Sequence, residues 1–316
     1  MRYPGDQKLQ YALRGGFMST GNLFLLQPMD GSIIEFNPAT GERVSVVSGL
    51  RSHPDGIAVD VKNNKIYWTN MGEHKEPATL EFFQADGSVE IANLDGSGRK
   101  RLVENGLFVT GKQLLHDEQQ GYLYWCDREG MRVLRAKEDG SDVTVLIQTG
   151  LFPQDSRDYT RHCVGIAIDA ENEFIYWTQK GPSKAGQGRI MRASLALPAG
   201  ETASTRHDIK PVMENLPEPI DLEYDSSSNL MYWTDRGDKL KGGNTLNCAT
   251  VQNGEFSDHR ILATGLDEGI GLAIDHPRGV IWITDLGGNL WQYQLNSDEP
   301  LQRIASFGPL TGIALG

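Results

Sequence analysis

Four titratable residues, Asp55, Lys112, His162 and Glu223, stand where a repetitive chain departs from its own pattern, and side chains of these types can carry acid–base chemistry. His162, flanked by Arg161 and Cys163, ionises near neutrality when unperturbed, so it is a candidate general base or a donor to a carbonyl oxygen; the other reading is a solvated loop histidine. Asp55 and Lys112 occupy the same place in consecutive repeat units and could form an ion pair, which either satisfies itself or is tuned for proton transfer. Glu223 replaces the alanine that the units on either side carry there, Ala167 and Ala273. A carboxylate in so crowded a place must pair, reach water or shift its pKa. Cys163 is a weaker candidate nucleophile, because the sequence assigns it no base.

The pattern these residues interrupt is a five-residue phrase whose plainest copy is Met231-Tyr232-Trp233-Thr234-Asp235. Near-copies stand at Ile66–Asn70, Leu123–Asp127, Ile175–Gln179 and Ile281–Asp285, with a worn one at Leu23–Gln27. An aspartate precedes the aromatic residue by seven positions in five units: Asp60 to Tyr67, Asp117 to Tyr124, Asp169 to Tyr176, Asp225 to Tyr232 and Asp275 to Trp282. The second unit reads as four short strands: small apolar Gly56–Asp60, a turn at Lys62–Asn64, aromatic Lys65–Thr69, alternating Val89–Leu94, a turn at Asp95–Gly98, and Arg101–Val103. Copies 43 to 57 residues apart, each with four strands, predict an all-β, six-bladed propeller over residues 18–316, with 1–17 as a tail or edge segment. Because Thr311–Leu315 matches Asp55–Val59, the C-terminal strand is expected to complete the first blade and close the ring.

On these phrases the chain resembles the YWTD six-bladed propellers of the low-density-lipoprotein-receptor type. It is similar in plan to the lactonase and strictosidine-synthase-like propellers as well. Residues recurring in every unit, such as Tyr67, Trp125, Trp233, Asp60 and Asp275, are expected to be scaffold, because a site needs asymmetry. Similarity to the lactonases implies a divalent metal held by several carboxylates and amides where the innermost strands begin. The positions five before each register aspartate are Asp55, Lys112, Val164, Ile220, Ile270 and, in the closing strand, Thr311, and only Asp55 suits a hard cation. No metal and no cofactor are therefore expected.

In such a propeller one face, termed face A, carries the starts of the innermost strands and the connections that follow each phrase. The long insertions fall there: Met71–Gly87 with Glu73, His74, Phe82 and Phe83; Leu151–Val164 with Phe152, Arg157, Tyr159, Arg161 and His162; 180–188; and 236–243. His53, Gln113, Phe82, Phe83, Phe152, Tyr159, Arg161, Asp221 and Glu268 are the expected substrate contacts around Asp55, Lys112, His162 and Glu223. Gln113 and Asp221 replace the glycine of the innermost strand and should point into the channel. On the opposite face B, 197–209 reads as a solvated polar loop.

A net charge of −12 opposes a nucleic-acid partner, and no apolar run reaches the roughly 18 residues of a membrane span. Three cysteines on three different units make a poor disulfide framework and point to free thiols. With no glycosylation sequon, the location expected is the cell interior, with secretion left open if a signal peptide has been trimmed. The expected function is that of a metal-independent small-molecule enzyme working at the face A channel mouth on a partly apolar substrate. Its reaction class is that of natural-product cyclases, of the Pictet–Spengler or, by resemblance, the fungal hetero-Diels–Alder type. A lactonase-type hydrolase and a non-catalytic protein-binding propeller are the alternatives.

Overall fold

The computed structural model describes residues 21–50, 52–73, 82–104, 106–238 and 241–316; the expected tail 1–17 and His74 lie outside them. The described residues form six four-stranded antiparallel sheets. Five innermost strands run Pro54–Asp60, Gly111–Asp117, Cys163–Asp169, Pro219–Asp225 and Gly269–Asp275. The sixth, Ile313–Leu315, pairs with Leu23–Leu25 and joins the C-terminal strand to blade 1, as expected. No helix among the described residues is long and apolar enough to cross a membrane.

The phrase strands explain the architecture through their two-residue period, which turns successive side chains to opposite faces. Tyr67 packs in one apolar cluster with Trp125 of the next blade, Tyr124 with Trp177, and Tyr176 with Trp233. Tyr232 meets Ile283, Trp282 meets Leu25, and Phe24 meets Trp68. The tyrosine place thus faces the following blade and the tryptophan place the preceding one, giving six cores between blades. A buried aromatic residue there stabilises the fold by roughly 3 kcal/mol. The register aspartates close the face B turns: Asp60 accepts the Asn63 N–H at 2.9 Å, and Asp169 accepts that of Asn172 at 3.1 Å.

The threonine of the phrase ties neighbouring innermost strands together. Thr69 Oγ1 accepts the Gly56 N–H at 2.9 Å and donates to the Lys112 carbonyl at 2.7 Å. Thr178 does the same between Gly165 and Ile220, and Thr234 between Asp221 and Ile270. Strands held so close admit no Cβ at Gly165, where it would lie 2.0 Å from the Ile220 carbonyl oxygen.

The stretch 197–209 is exposed or half-buried over most of its length, as expected, but it is anchored by one buried side chain. The Arg206 side chain is fully buried, donates to the carbonyls of Leu146, Ser194 and Ala196, and pairs with Asp208 at 2.7 Å. A guanidinium has five donors in a fixed fork, so one arginine can pin three carbonyls and a carboxylate.

Candidate functional site at the mouth of the channel

Each of the five complete innermost strands breaks register with its neighbour at the same place, between Pro54 and Ile57, Gly111 and Leu114, Cys163 and Ile166, Pro219 and Leu222, and Gly269 and Leu272. Such bulges re-aim side chains. The bulged residues Asp55, Lys112, Val164, Ile220 and Ile270, with Thr311 of the closing strand, form an inner ring that lines a face A cavity of about 500 Å³. A second ring lies above it: Pro28, Met71, Arg128, Lys180, Arg236 and Leu286, the residues that directly follow the six phrases. Backbone bonds set this outer ring. The Met71 N–H donates to the His53 carbonyl at 2.8 Å, that of Arg128 to Thr110 at 3.0 Å, that of Arg236 to Glu218 at 2.9 Å and that of Leu286 to Glu268 at 3.1 Å.

Lys112 Nζ makes a short contact with Asp55 Oδ1, and it lies 3.3 Å from Met71 Sδ. Both side chains of the pair are less than a tenth exposed. Burial holds the Lys112 ammonium below the ordinary lysine range, and Asp55 opposes that shift. Val164, Ile220 and Ile270 form an apolar floor beside the pair, and Leu286 of the outer ring packs against it. His53 packs edge-on against Phe82 with ring centroids 5.3 Å apart, and Glu268 stands at the rim 3.5 Å from Arg236. Asp55, Lys112, His53, Phe82 and Glu268 therefore all line one cavity.

The remaining expected site residues are placed elsewhere. His162 is fully buried behind the wall; its Nε2 donates to the Ser156 carbonyl at 2.7 Å, and burial lowers its pKa. That bond ties the 151–161 loop to the strand below it, and the imidazole does not line the cavity. Phe83, Phe152, Tyr159 and Arg161 do not line it either. Phe83 carries the Arg157 guanidinium 4.6 Å above its ring, Tyr159 packs on His162, and Arg161 pairs with Asp158 on the surface at 2.8 Å.

Gln113 crosses the channel instead of facing a substrate. Its Nε2 donates to the Leu222 carbonyl at 2.8 Å, and its Oε1 accepts the N–H groups of Ile166 at 2.5 Å and Leu222 at 3.2 Å. Asp221 accepts the Leu272 N–H at 2.9 Å, and burial first, then Glu223, pushes its carboxyl well above the usual range. Glu223 does face the channel, but on the other side of this plug, where it lines a face B vestibule of about 620 Å³. Desolvation raises its pKa to about 8. A void of about 30 Å³ bordered by Asp55, Gln113, Asp221 and Glu223 lies between the two cavities.

Sequence reasoning missed the outer ring. Its signal was present as the single residue after every phrase, but nothing in the sequence says that those residues turn inward. The cations among them have buried partners behind the wall: Arg128 pairs with Glu129 at 2.7 Å, while Lys180 at 3.2 Å and Arg236 at 2.9 Å share Glu218. The three cysteines are buried free thiols, and desolvation pushes Cys163 up to about 12, which leaves it no nucleophilic thiolate near neutrality.

A divalent ion of the lactonase kind does not fit the mouth. The inner ring offers one carboxylate, Asp55, and its Oδ1 takes the Lys112 ammonium, whereas a hard cation needs several oxygens. On face B, Asp60, His116 and Glu138 bring ligand atoms within 4.8 Å of one another. His116 Nε2 already meets Glu138 at 2.6 Å, and both Asp60 oxygens take the Asn63 amides of the adjoining turn.

No family model matches the chain. It is 42% identical over 296 residues to a Pyricularia oryzae protein named low-density lipoprotein receptor-related protein 1, covering 90% of this chain and 92% of that protein. It is 37% identical over 297 residues to the Cochliobolus heterostrophus protein named 3-hydroxyacyl-CoA dehydrogenase-like protein LAM1, of whose length it spans only 60%. Among solved structures, a nidogen/laminin complex aligns with TM-score 0.68 at 18% identity, over 93% of this chain and 97% of that one. A gluconolactonase from Xanthomonas campestris aligns with TM-score 0.61 at 14% identity, over 93% and 88% of the two chains. At such identities these structures share the fold alone.

Proposed function

The chain belongs to the family of the Pyricularia oryzae protein, as a six-bladed propeller of the YWTD type with lactonase-like structural neighbours, and on that premise we propose that it is a small-molecule enzyme working at the face A mouth. Its reaction is a cyclisation or isomerisation that needs no metal. The observation that supports this reading is a buried Lys112–Asp55 pair set into an apolar floor at the bottom of a cavity of about 500 Å³. A cavity of that size takes one drug-sized ligand and surrounds most of it.

The apolar floor and the Phe82 side hold the substrate so that two of its own groups meet, which replaces a rare collision by a prearranged one. Lys112 donates to an oxygen on which negative charge develops, in surroundings where water does not screen it. Asp55 returns a proton or keeps the ammonium aimed. Neither step calls on His162, Cys163 or Glu223.

Purified protein is incubated with Pyricularia oryzae small-molecule extracts, and consumed and formed species are matched by mass spectrometry, with Lys112→Met and Asp55→Asn run beside it. A product of unchanged mass and altered retention, lost in both variants, is the expected result. A product heavier by one water supports the lactonase reading instead. The absence of any conversion, together with capture of a protein partner, supports the protein-binding propeller and overturns the enzyme reading.

A further inference from the structure

The outer ring of the mouth is divided in two. Leu286, Pro28 and Met71, from the contiguous blades 6, 1 and 2, make an apolar half; Arg128, Lys180 and Arg236, from the contiguous blades 3, 4 and 5, make a cationic half. The division is unexpected in a chain of net charge −12, where three cations in a row at one structural place run against the overall balance. From this geometry we infer that the mouth binds an amphipathic organic anion, a carboxylate or equally acidic enol on an otherwise apolar body. The charged group lies against Lys180 and Arg236, and the apolar body lies against the opposite half. The inference rests on the reading of the mouth as a small-molecule site and names the class of molecule it takes.

Each of these cations has a carboxylate partner, but two of the three carboxylates, Glu129 and Glu218, are buried behind the wall, and only Glu268 stands at the rim. Glu218, 1% exposed, is shared by Lys180 and Arg236, whose side chains are 12% and 19% exposed on the cavity side. One buried carboxylate thus backs two cations. Burial lowers Lys180 to about 8, Glu218 opposes this, and Arg128 and Arg236 add to the lowering by repulsion. His162 lies behind this lysine, and the Tyr159 ring centroid is 5.9 Å from its Nζ. A bound anion would offset the repulsion among the three cations. On the rim, Glu268 approaches Arg236 at 3.5 Å and would have to yield to a ligand carboxylate.

The test uses 2-naphthoate and its neutral isostere 2-naphthamide as probes, titrated into the purified protein by calorimetry. Naphthoate is expected to bind at least about tenfold more tightly than the amide, the difference that one charge-assisted hydrogen bond supplies. Lys180→Met and Arg236→Met should each weaken naphthoate more than the amide and so narrow that preference. Met71→Asp should weaken both probes. Naphthoate affinity should fall as pH rises through about 8, where Lys180 loses its proton. Lys180→Arg should abolish that fall, because a guanidinium stays charged. Equal affinity for the two probes, no binding of naphthoate at millimolar concentration, or an unchanged preference in Lys180→Met and Arg236→Met that fold normally by circular dichroism would overturn the inference. Preference for the anion without any turnover of extracts would instead keep this inference and remove the enzyme reading, and turnover without the preference would do the reverse.

Discussion

Replacing Lys112 by methionine keeps an unbranched side chain of nearly the same length and removes its charge, which leaves Asp55 alone in the apolar floor. In the native protein the pair is 9% and 6% exposed, so solvent screening does little to soften the loss. Removing one partner of such a buried pair typically costs about 3–5 kcal/mol. For a chain of this size each kcal/mol moves the melting temperature by roughly 2 °C, so Lys112→Met should melt about 6–10 °C below the parent. The double variant Lys112→Met/Asp55→Asn removes both charges and should return to within about 1 kcal/mol of the parent, a coupling of at least about 2 kcal/mol. Scanning calorimetry with urea unfolding at neutral pH measures all four proteins. The reasoning fails if Lys112→Met alone costs less than about 1 kcal/mol, or if the double variant is as unstable as the sum of the single ones, since either outcome means that the pair is not a buried unit.

Further outcomes follow from other parts of the molecule. Glu223 has its pKa raised from 4.5 to about 8, so its proton contributes stability that is present below pH 4.5 and lost as pH rises through about 8. Glu223→Gln should therefore match the parent near pH 4.5 and exceed it by roughly 2 kcal/mol at pH 9, after discounting for vestibule water, as measured by urea unfolding at the two pH values. His162→Ala should lose about 2–3 kcal/mol of stability, because it deletes a buried ring and the bond to the Ser156 carbonyl, and should leave naphthoate affinity unchanged. A change in affinity with normal stability would restore His162 to the site. Thr234→Val, which removes the bridge from Asp221 to Ile270, should cost about 2 kcal/mol in thermal unfolding, whereas an unaffected melting temperature would show that the phrase threonine does not bind the blades.

The propeller was legible because its signals are local and repeated. The phrase alternates with the two-residue period of a strand, so Tyr67 and Trp68 must face opposite blades. The register aspartates announce turns, and the match of the last strand to Asp55–Val59 announces closure. Part of the candidate mouth was legible in the same register: Asp55, Lys112, His53 and Glu268 line one cavity, since equivalent places in a closed ring are brought around one axis.

What the sequence could not disclose depends on displacements of a single residue. The bulge in each innermost strand turns Asp55 and Lys112 towards the mouth, whereas Glu223, beyond the bulge and the Gln113 plug, opens to the other face. His162 sits at the register place of His53, yet one loop carbonyl, that of Ser156, engages it and the wall closes over it. The phrases themselves determined the blades, their order and their common frame. Only the closed ring decided that the six residues after the phrases turn inward, and it thereby set three apolar residues opposite three cations.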